Sequence, residues 1–422
     1  MTSPASVVVD AGANSGLFGW WRAGSTDARR ALIAAGLGWM LDAFDVMMYA
    51  LLLPTIMADL NISSRAAGAI GSGMLLAAAA GGLAFGVVAD RYGRTRALMA
   101  SVTIYSVFAA ACGLATTAVQ LAIFRILLGI GMGGEWASGA ALVSETWPAR
   151  DRGKALGLMQ SAWAVGYGLA ALVTMIVLPR WGWRMVFFIG VLPALLTVWV
   201  RRYVREPELW LRRRETTRER ARLGDVFRDG RAGVTAAVTA MNACTLFAWW
   251  GFNLWLPGFL SAAPAAGGIG LSATGMSWFI IAMQVGMWFG YITFGYVSDV
   301  IGRKRAYIGY LVTAGVLIAI YASLRSPVAL LLLGPFVAFF ATGYFSGFGA
   351  VTAEIYPTEM RATAQGFTYN LGRIASAAAP FTVGTLAQTR GFDAALSTTS
   401  VAFMAAAVLW LWIPETRGRE LA

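Results

Sequence analysis

Apolar positions in this chain neither alternate with polar ones nor keep to one face of otherwise polar helices. They come in long runs separated by short polar breaks. A membrane-spanning helix needs about 20 predominantly apolar residues, and twelve runs meet or approach that length. Six lie near 31–57, 66–88, 97–116, 119–143, 153–178 and 183–200, and six more near 232–260, 273–297, 306–324, 327–351, 362–387 and 395–413. The pattern predicts an all-α integral membrane protein of twelve transmembrane helices. A polar segment (1–30) precedes a first six-helix bundle (31–200), a basic linker (201–231) joins it to a second (232–413), and a short tail follows (414–422). No short apolar stretch with a small-residue cleavage site precedes the first span, which is therefore expected to be retained.

Charge orients these spans. Cytoplasmic loops carry an excess of Lys and Arg. With both termini inside, 26 of the 33 basic residues fall on the cytoplasmic side, 5 outside, and Arg125 and Arg373 within spans. Eleven of them sit in the 201–231 linker. The formal charge of +12 thus reads as topology and attraction to anionic headgroups of the lipid bilayer, not as nucleic-acid binding. The expected location is the plasma membrane, the inner membrane in a bacterium.

Composition removes several chemistries. Only 13% of residues are charged and 58% are apolar, against about 25% charged in soluble domains. The absence of histidine excludes a Ser-His-Asp triad, an HExxH zinc site and a histidine proton relay. Cys112 and Cys244 lie inside apolar runs and form no disulfide or metal pattern. Gly129-x-Gly131-x-x-Gly134 fits a dinucleotide fingerprint in form only, since it lies inside a span with no strand before it; close helix packing is the expected use. No phosphate-binding Gly-x-x-x-x-Gly-Lys-Ser/Thr loop occurs. No cofactor, no metal and no enzymatic activity are expected.

The halves are copies. Phe85-Gly-Val-Val-Ala-Asp-Arg-Tyr-Gly-Arg-Thr-Arg96 recurs as Phe294-Gly-Tyr-Val-Ser-Asp-Val-Ile-Gly-Arg-Lys-Arg305, an offset of 209. The same offset superposes Glu145 on Glu354, Pro148 on Pro357, Arg152 on Arg361 and Gly157 on Gly366. Pro207-Glu208 recurs as Pro414-Glu415, displaced by two residues. Gly93 and Gly302 permit tight turns, at which Asp90, Arg94, Asp299 and Arg303 are expected to latch the two halves together on the cytoplasmic side. Glu145 with Arg152, and Glu354 with Arg361, suit a second salt-bridge latch. These eight residues are the expected gating set. A Gly-x-x-x-Asp-Arg-x-Gly-Arg loop after the second span, its degenerate copy after the eighth and an Arg-led, glycine-rich fourth span resemble the major facilitator superfamily. The resemblance implies two pseudo-symmetric six-helix bundles around a central cavity, a substrate site near midplane and alternating access by rocking.

Ionisable residues at membrane depth cost at least about 2.5 kcal/mol each, so they mark function by default. Asp42 and Asp45 lie three residues apart in the first span, on one helical face about 4.5 Å apart along the axis. Two such carboxylates do not both hold a charge cheaply, as a proton carrier requires. Glu135 in the fourth span is a further proton-coupling candidate. Arg125, about 15 Å away on the same helix, reads equally as a counter-ion of the first-span aspartates or as a substrate ligand. Arg373 has no mid-depth carboxylate in its own half, so an anionic substrate would supply the missing charge, and guanidinium binds carboxylate through two parallel hydrogen bonds. Tyr369 and Asn370 beside it, with Phe247, Trp250 and Gln284, complete the expected substrate site and favour a ring-bearing or apolar-bodied acid.

Asp42-Ala-Phe-Asp45 after Gly38-Trp39, Gly131-Met-Gly-Gly-Glu-Trp136 and Glu145-Thr-Trp-Pro148 resemble the aromatic acid:proton symporters and the sialate and monocarboxylate:proton symporters. Ala43 stands where the aromatic acid group usually has glycine. The resemblance implies proton-coupled uptake of a carboxylate-bearing metabolite, with Asp42 and Asp45 as coupling residues. Pro414-Glu-Thr-Arg-Gly418 is similar to sugar porters and keeps a sugar or polyol reading open. A drug or metabolite efflux pump and a non-transporting receptor are the other rivals. The expected partners are the small-molecule substrate, protons and lipid, with the chain acting as a monomer.

Overall fold

The computed structural model describes residues 19–192, 194–206, 223–228, 230–357 and 360–417. Most of the 201–231 linker, including Glu208, lies outside them, as do the side chains of the predicted gating residues Asp90 and Arg361. A short helix, α1 (Gly19–Ala23), leads into the first half: α2 (Thr26–Asp59), α3 (Ser64–Tyr92), α4 (Arg94–Cys112), α5 (Ala118–Thr146), α6 (Ala149–Ile189) and α7 (Ala194–Tyr203). The second half comprises α8 (Ala232–Ser261), α9 (Ala273–Ile301), α10 (Arg303–Ser323), α11 (Pro327–Gly343), α12 (Phe348–Ile355), α13 (Arg361–Ser376) and α14 (Ala378–Leu409). Ser25, Ser63, Thr117, Ser272 and Ser326 open their helices by accepting from a first-turn amide, which satisfies one of the donors a helix start leaves free.

Ten stretches of the described chain are helical, long and apolar enough to cross a membrane. Two of them, Asp151–Ile189 and Thr363–Leu409, fold back at a glycine in the left-handed region, Gly182 (φ 76°) and Gly391 (φ 84°). These glycines are 209 residues apart, the offset of the sequence repeat. Each stretch therefore makes two crossings, and the expected twelve-helix architecture stands. Three crossings are broken: the sixth after Ile189, the tenth by a 3₁₀ turn at Tyr344–Gly347, and the eleventh at Ala377. Irregular backbone at membrane depth is tolerated where it is buried in protein or lines a cavity.

Within the first half α2 packs on α6 and α3 on α5; within the second α8 packs on α14 and α9 on α11. Between halves α6 meets α9, α3 meets α13 and α14, and α2 meets α8. The α3–α14 seam is tightest at the end of the bundle away from the Gly93 and Gly302 turns. A Cβ at Gly68 would lie 2.3 Å from the Pro380 carbonyl oxygen, the Phe381 amide donates to Ser72 Oγ at 3.2 Å, and the Arg65 amide donates to Gln388 Oε1 at 3.3 Å. At the opposite end, which carries the basic turns, no hydrogen bond or ion pair between described residues joins the halves.

Among the described residues the repeated charges pair within each half; the expected inter-half latch also involves Asp90 and Arg361, whose side chains lie outside them. Arg94 donates to Glu145 from Nε (3.3 Å) and Nη2 (3.0 Å), and Arg303 does the same to Glu354 (3.3 and 3.1 Å). Asp299 pairs with Arg303 one turn away on the neighbouring helix end. Arg152 makes no ion pair among the described residues, and its Nε is buried without a partner there. A third member emerges: Glu206 accepts from the amides of Arg94 (2.7 Å) and Thr95 (3.1 Å), as Glu415 accepts from those of Arg303 (2.9 Å) and Lys304 (3.1 Å). Glu206 and Glu415 differ by 209, so the true counterpart of Glu415 is Glu206 and not Glu208. The physical reason is the helix start: the free amides of α4 and α10 attract a carboxylate. Burial works against the Glu415 charge, but amides of Arg417, Arg303, Lys304 and Thr416 outweigh it and hold the carboxyl below its usual range.

Candidate functional site

A narrow cavity of about 30 Å³, room for a few water molecules, lies at mid-depth where the halves face each other. The first half contributes Trp39 of α2, Met132 of α5, and Gln160 and Trp163 of α6. The second contributes Leu246, Trp249 and Trp250 of α8, Tyr291 of α9, Phe345 of the 3₁₀ turn, and Tyr369 and Arg373 of α13. Four indoles form a continuous wall. Trp39 and Trp163 have ring centroids 4.6 Å apart, Trp163 and Trp249 5.6 Å, and Trp249 and Trp250 4.9 Å, all in tilted or edge-on geometries of the kind that ring quadrupoles favour.

The polar groups of the wall are few. Tyr291 and Gln160 bring their side chains together across the halves. Arg373 is 2% exposed, its guanidinium lies 5.4 Å from the Tyr369 ring centroid, and its Nε is buried without a hydrogen-bond partner among the described residues. The break at Ala377 falls one turn beyond it, where the Arg373 carbonyl accepts from Ser376 Oγ (2.8 Å) and the Ala377 amide (3.1 Å).

Beneath the indoles lie three fully buried carboxyls. Neither oxygen of Asp42, Asp45 or Glu135 has a hydrogen-bond partner among the described residues. Glu135 is pressed against α2 at Gly38, where a Cβ would come within 2.5 Å of its Oε1; Asp45 Oδ1 faces the chain turn at Gly190, 2.8 Å from a Cβ there. Tyr105 of α4 donates to the Gly38 carbonyl at 3.3 Å. Asp42 lies within electrostatic reach of Asp45, Glu135, Arg125 and Arg373. One connected group of five ionisable side chains thus runs from Arg373 in the second half to Arg125 in the first.

Of the residues expected to bind substrate, Arg373, Tyr369 and Trp250 line the cavity, and four do not. Phe247 is half-buried and points off the face that carries Leu246, Trp249 and Trp250, because each residue turns a helix by about 100°. Gln284 packs against α6 at Gly168, and Asn370 Nδ2 donates to the Gly366 carbonyl while its Oδ1 faces Gly82 on the α3 seam. Arg125 lies beyond Trp250, in a separate void. Conversely, Trp39, Trp163, Gln160, Trp249, Tyr291 and Phe345 were not among the expected ligands. Tryptophans placed mid-span, away from the interfacial belts where Trp collects, were the available signal.

The sequence profile of the Major Facilitator Superfamily matches residues 35–263 and 242–422. The chain belongs to the Major Facilitator Superfamily. It is a multi-pass membrane transporter and not an enzyme. The sialic acid transporter NanX of Escherichia coli is 32% identical over 92% of this chain and 95% of its own length. The cis,cis-muconate transport protein of Acinetobacter baylyi is 29% identical over 87% of this chain and 89% of its own. In fold, this transporter superposes with a TM-score of 0.76 on the xylose transporter XylE from E. coli in a partially occluded inward open conformation, covering 94% of this chain and 100% of that one at 21% identity. The glycines of the dinucleotide-like run sit at close helix contacts: a Cβ at Gly129 would lie 2.3 Å from the Met74 carbonyl oxygen of α3, one at Gly131 2.7 Å from the Tyr105 amide nitrogen of α4, and one at Gly134 2.3 Å from the Phe85 ring of α3.

Proposed function

We propose that this transporter imports a small, planar or aromatic carboxylate together with protons, holding the carboxylate on Arg373 between the indoles of Trp39, Trp163, Trp249 and Trp250. The observation that carries this reading is the buried Arg373 guanidinium with an unmet Nε donor, set in an aromatic wall that belongs to both halves. Such a wall offers flat apolar faces and few hydrogen bonds, which suits an unsaturated acid better than a polyhydroxylated sugar. The relatives transporting sialic acid and muconate, both carboxylates, support the class.

Charge counting supports the proton. Three carboxyls and two guanidiniums share the site, so full ionisation leaves one negative charge unmatched, and a bound anion makes it two. Each unmatched charge at this depth costs about 2.5–3.5 kcal/mol. Protons taken up by Asp42, Asp45 or Glu135 restore the balance, so anion and proton travel together. The excess of Arg and Lys at the Gly93/Gly302 end supports a cytoplasmic position for that end and both termini. The cavity then faces a closed seam on the outside, and one chain contains the whole site.

The test is internal pH in dye-loaded proteoliposomes as benzoate, cis,cis-muconate, sialic acid or xylose is added outside, with protein-free liposomes as the correction. Acidification with the planar acids is the expected result. A response to xylose alone, or binding without any flux, overturns the proposal.

A further inference from the structure

Trp250 separates two spaces. It lines the Arg373 cavity and also a smaller void bounded by Val46, Gly71, Met74 and Arg125 of the first half and by Leu254 and Pro380 of the second. Arg125 is 1% exposed. Its guanidinium lies 4.5 Å from the Tyr49 ring centroid, and Nη2 reaches the Met74 sulfur at 2.7 Å and the Val46 carbonyl at 3.5 Å. Nε and Nη1 are buried without partners among the described residues. Asp45 and Asp42 act on it electrostatically, but no carboxylate is bonded to it among those residues. A buried guanidinium with two unmet donors calls for a ligand, yet the void has room for about one water molecule. The walls explain the contradiction. They come from different halves and meet at the α3–α14 seam, where a Cβ at Gly71 would lie 2.9 Å from Leu254 and 3.2 Å from Pro380. Alternating access requires that seam to part, and the void widens when it does.

We propose that Arg125 is a second carboxylate subsite, formed only when the α3–α14 seam opens, and that Trp250 is the partition across which the substrate's carboxylate passes between Arg125 and Arg373. The inference rests on the organic-acid reading above and adds to it: the two guanidiniums serve the same anion in opposite conformations. Because Arg125 lines the void at the seam and Arg373 lines the mid-depth cavity, closing the seam removes room at the first without touching the second.

The experiment measures benzoate binding to the full-length chain in nanodiscs by quenching of tryptophan emission, which the cavity's indoles report. Binding is compared between free protein and protein whose seam is pinned by a disulfide between Ser72→Cys and Phe381→Cys, in a Cys112→Ala, Cys244→Ala background. Arg125→Lys, which keeps the charge beside Asp45 and loses the planar fork, is expected to weaken binding about tenfold in the free protein and not at all in the pinned one. Arg373→Lys is expected to weaken it in both. Equal loss on Arg125→Lys in free and pinned protein makes Arg125 a fixed counter-ion and overturns the proposal, as does no loss in either. If Arg373→Lys is silent in both while the Arg125 pattern holds, the assignment of Arg373 fails and the second subsite stands. Gly71→Ala provides a variant that keeps Arg125: by wedging the seam it is expected to raise affinity severalfold, and unchanged or weaker binding counts against the subsite.

Discussion

Replacing Arg373 by lysine tests the site most directly. The guanidinium is buried beside Tyr369 with one donor unmet, so a carboxylate that met it would form two parallel charge-assisted hydrogen bonds in a poorly hydrated cavity. Lysine keeps the charge but offers a single point contact on a flexible stem. Losing one hydrogen bond to a charged group costs about 1.5–3 kcal/mol, which at about 1.4 kcal/mol per factor of ten is a weakening of about 10- to 150-fold. The charge retained near Asp42 leaves the balance of the five-residue cluster unchanged, so fold and proton loading are not the cause of the loss. Arg373→Gln removes that charge too and is expected to abolish binding. The assay is equilibrium quenching of tryptophan emission by benzoate, with thermal midpoint as the check on folding. Parent-like affinity in Arg373→Lys would show that the carboxylate is held elsewhere.

Asp42→Asn and Asp45→Asn are expected to keep exchange of labelled acid across proteoliposomes while losing accumulation driven by a pH gradient; unchanged accumulation in both variants and their double would remove them from coupling. Gly38→Ala places a methyl 2.5 Å from Glu135 Oε1 and should destabilise by about 1–3 kcal/mol, an effect expected to shrink in a Glu135→Ala background when measured by a double-mutant cycle of thermal midpoints. Glu415→Gln removes a carboxylate whose acidity is increased by four amides; a group so depressed stabilises above its unfolded value of about 4.3 and loses that contribution as pH falls through its folded value, so the penalty of the variant should be present at pH 7 and shrink as acid unfolding is taken through that lowered value. Gly286→Ala sets a methyl 1.9 Å from the Pro335 carbonyl oxygen and should prevent close α9–α11 packing, whereas Gly157→Ala, with nothing within 4 Å, should be silent in the same thermal assay.

The architecture was largely legible because bilayer thickness imposes a length on every apolar run and because duplication leaves a fixed offset. The bends at Gly182 and Gly391 fall in gaps between predicted spans and obey the same 209. The register of the halves' ends was misread for a specific reason. The Pro-Glu dipeptide drew the alignment to Glu208, but what the fold repeats is a carboxylate reaching the first amides of α4 and α10, and both Glu206–Arg94 and Glu415–Arg303 are 112 residues apart. The cavity was legible only in part. Buried charges announce themselves one at a time, so Asp42, Asp45, Glu135 and Arg373 stood out. The indoles that face them come from three helices whose relative rotation no linear pattern encodes, which is why Phe247 stands among the expected ligands and Trp249 does not.

The distribution of charges across the two halves constrains how the transporter moves. Arg94 with Glu145 and Glu206, and Arg303 with Glu354 and Glu415, bind three chain segments together inside each half, so those pairs need not break when one half rocks against the other. The seam itself is made of glycine approaches, indole contacts and a few hydrogen bonds, which separate without stranding a charge. The electrostatic tie described between halves is the one between Arg373 and Asp42, at the cavity. A proton on Asp42 removes one end of that tie, and a carboxylate on Arg373 neutralises the other. Both ligands of the proposed symport thus act on the same cross-half attraction, at the cavity where they meet.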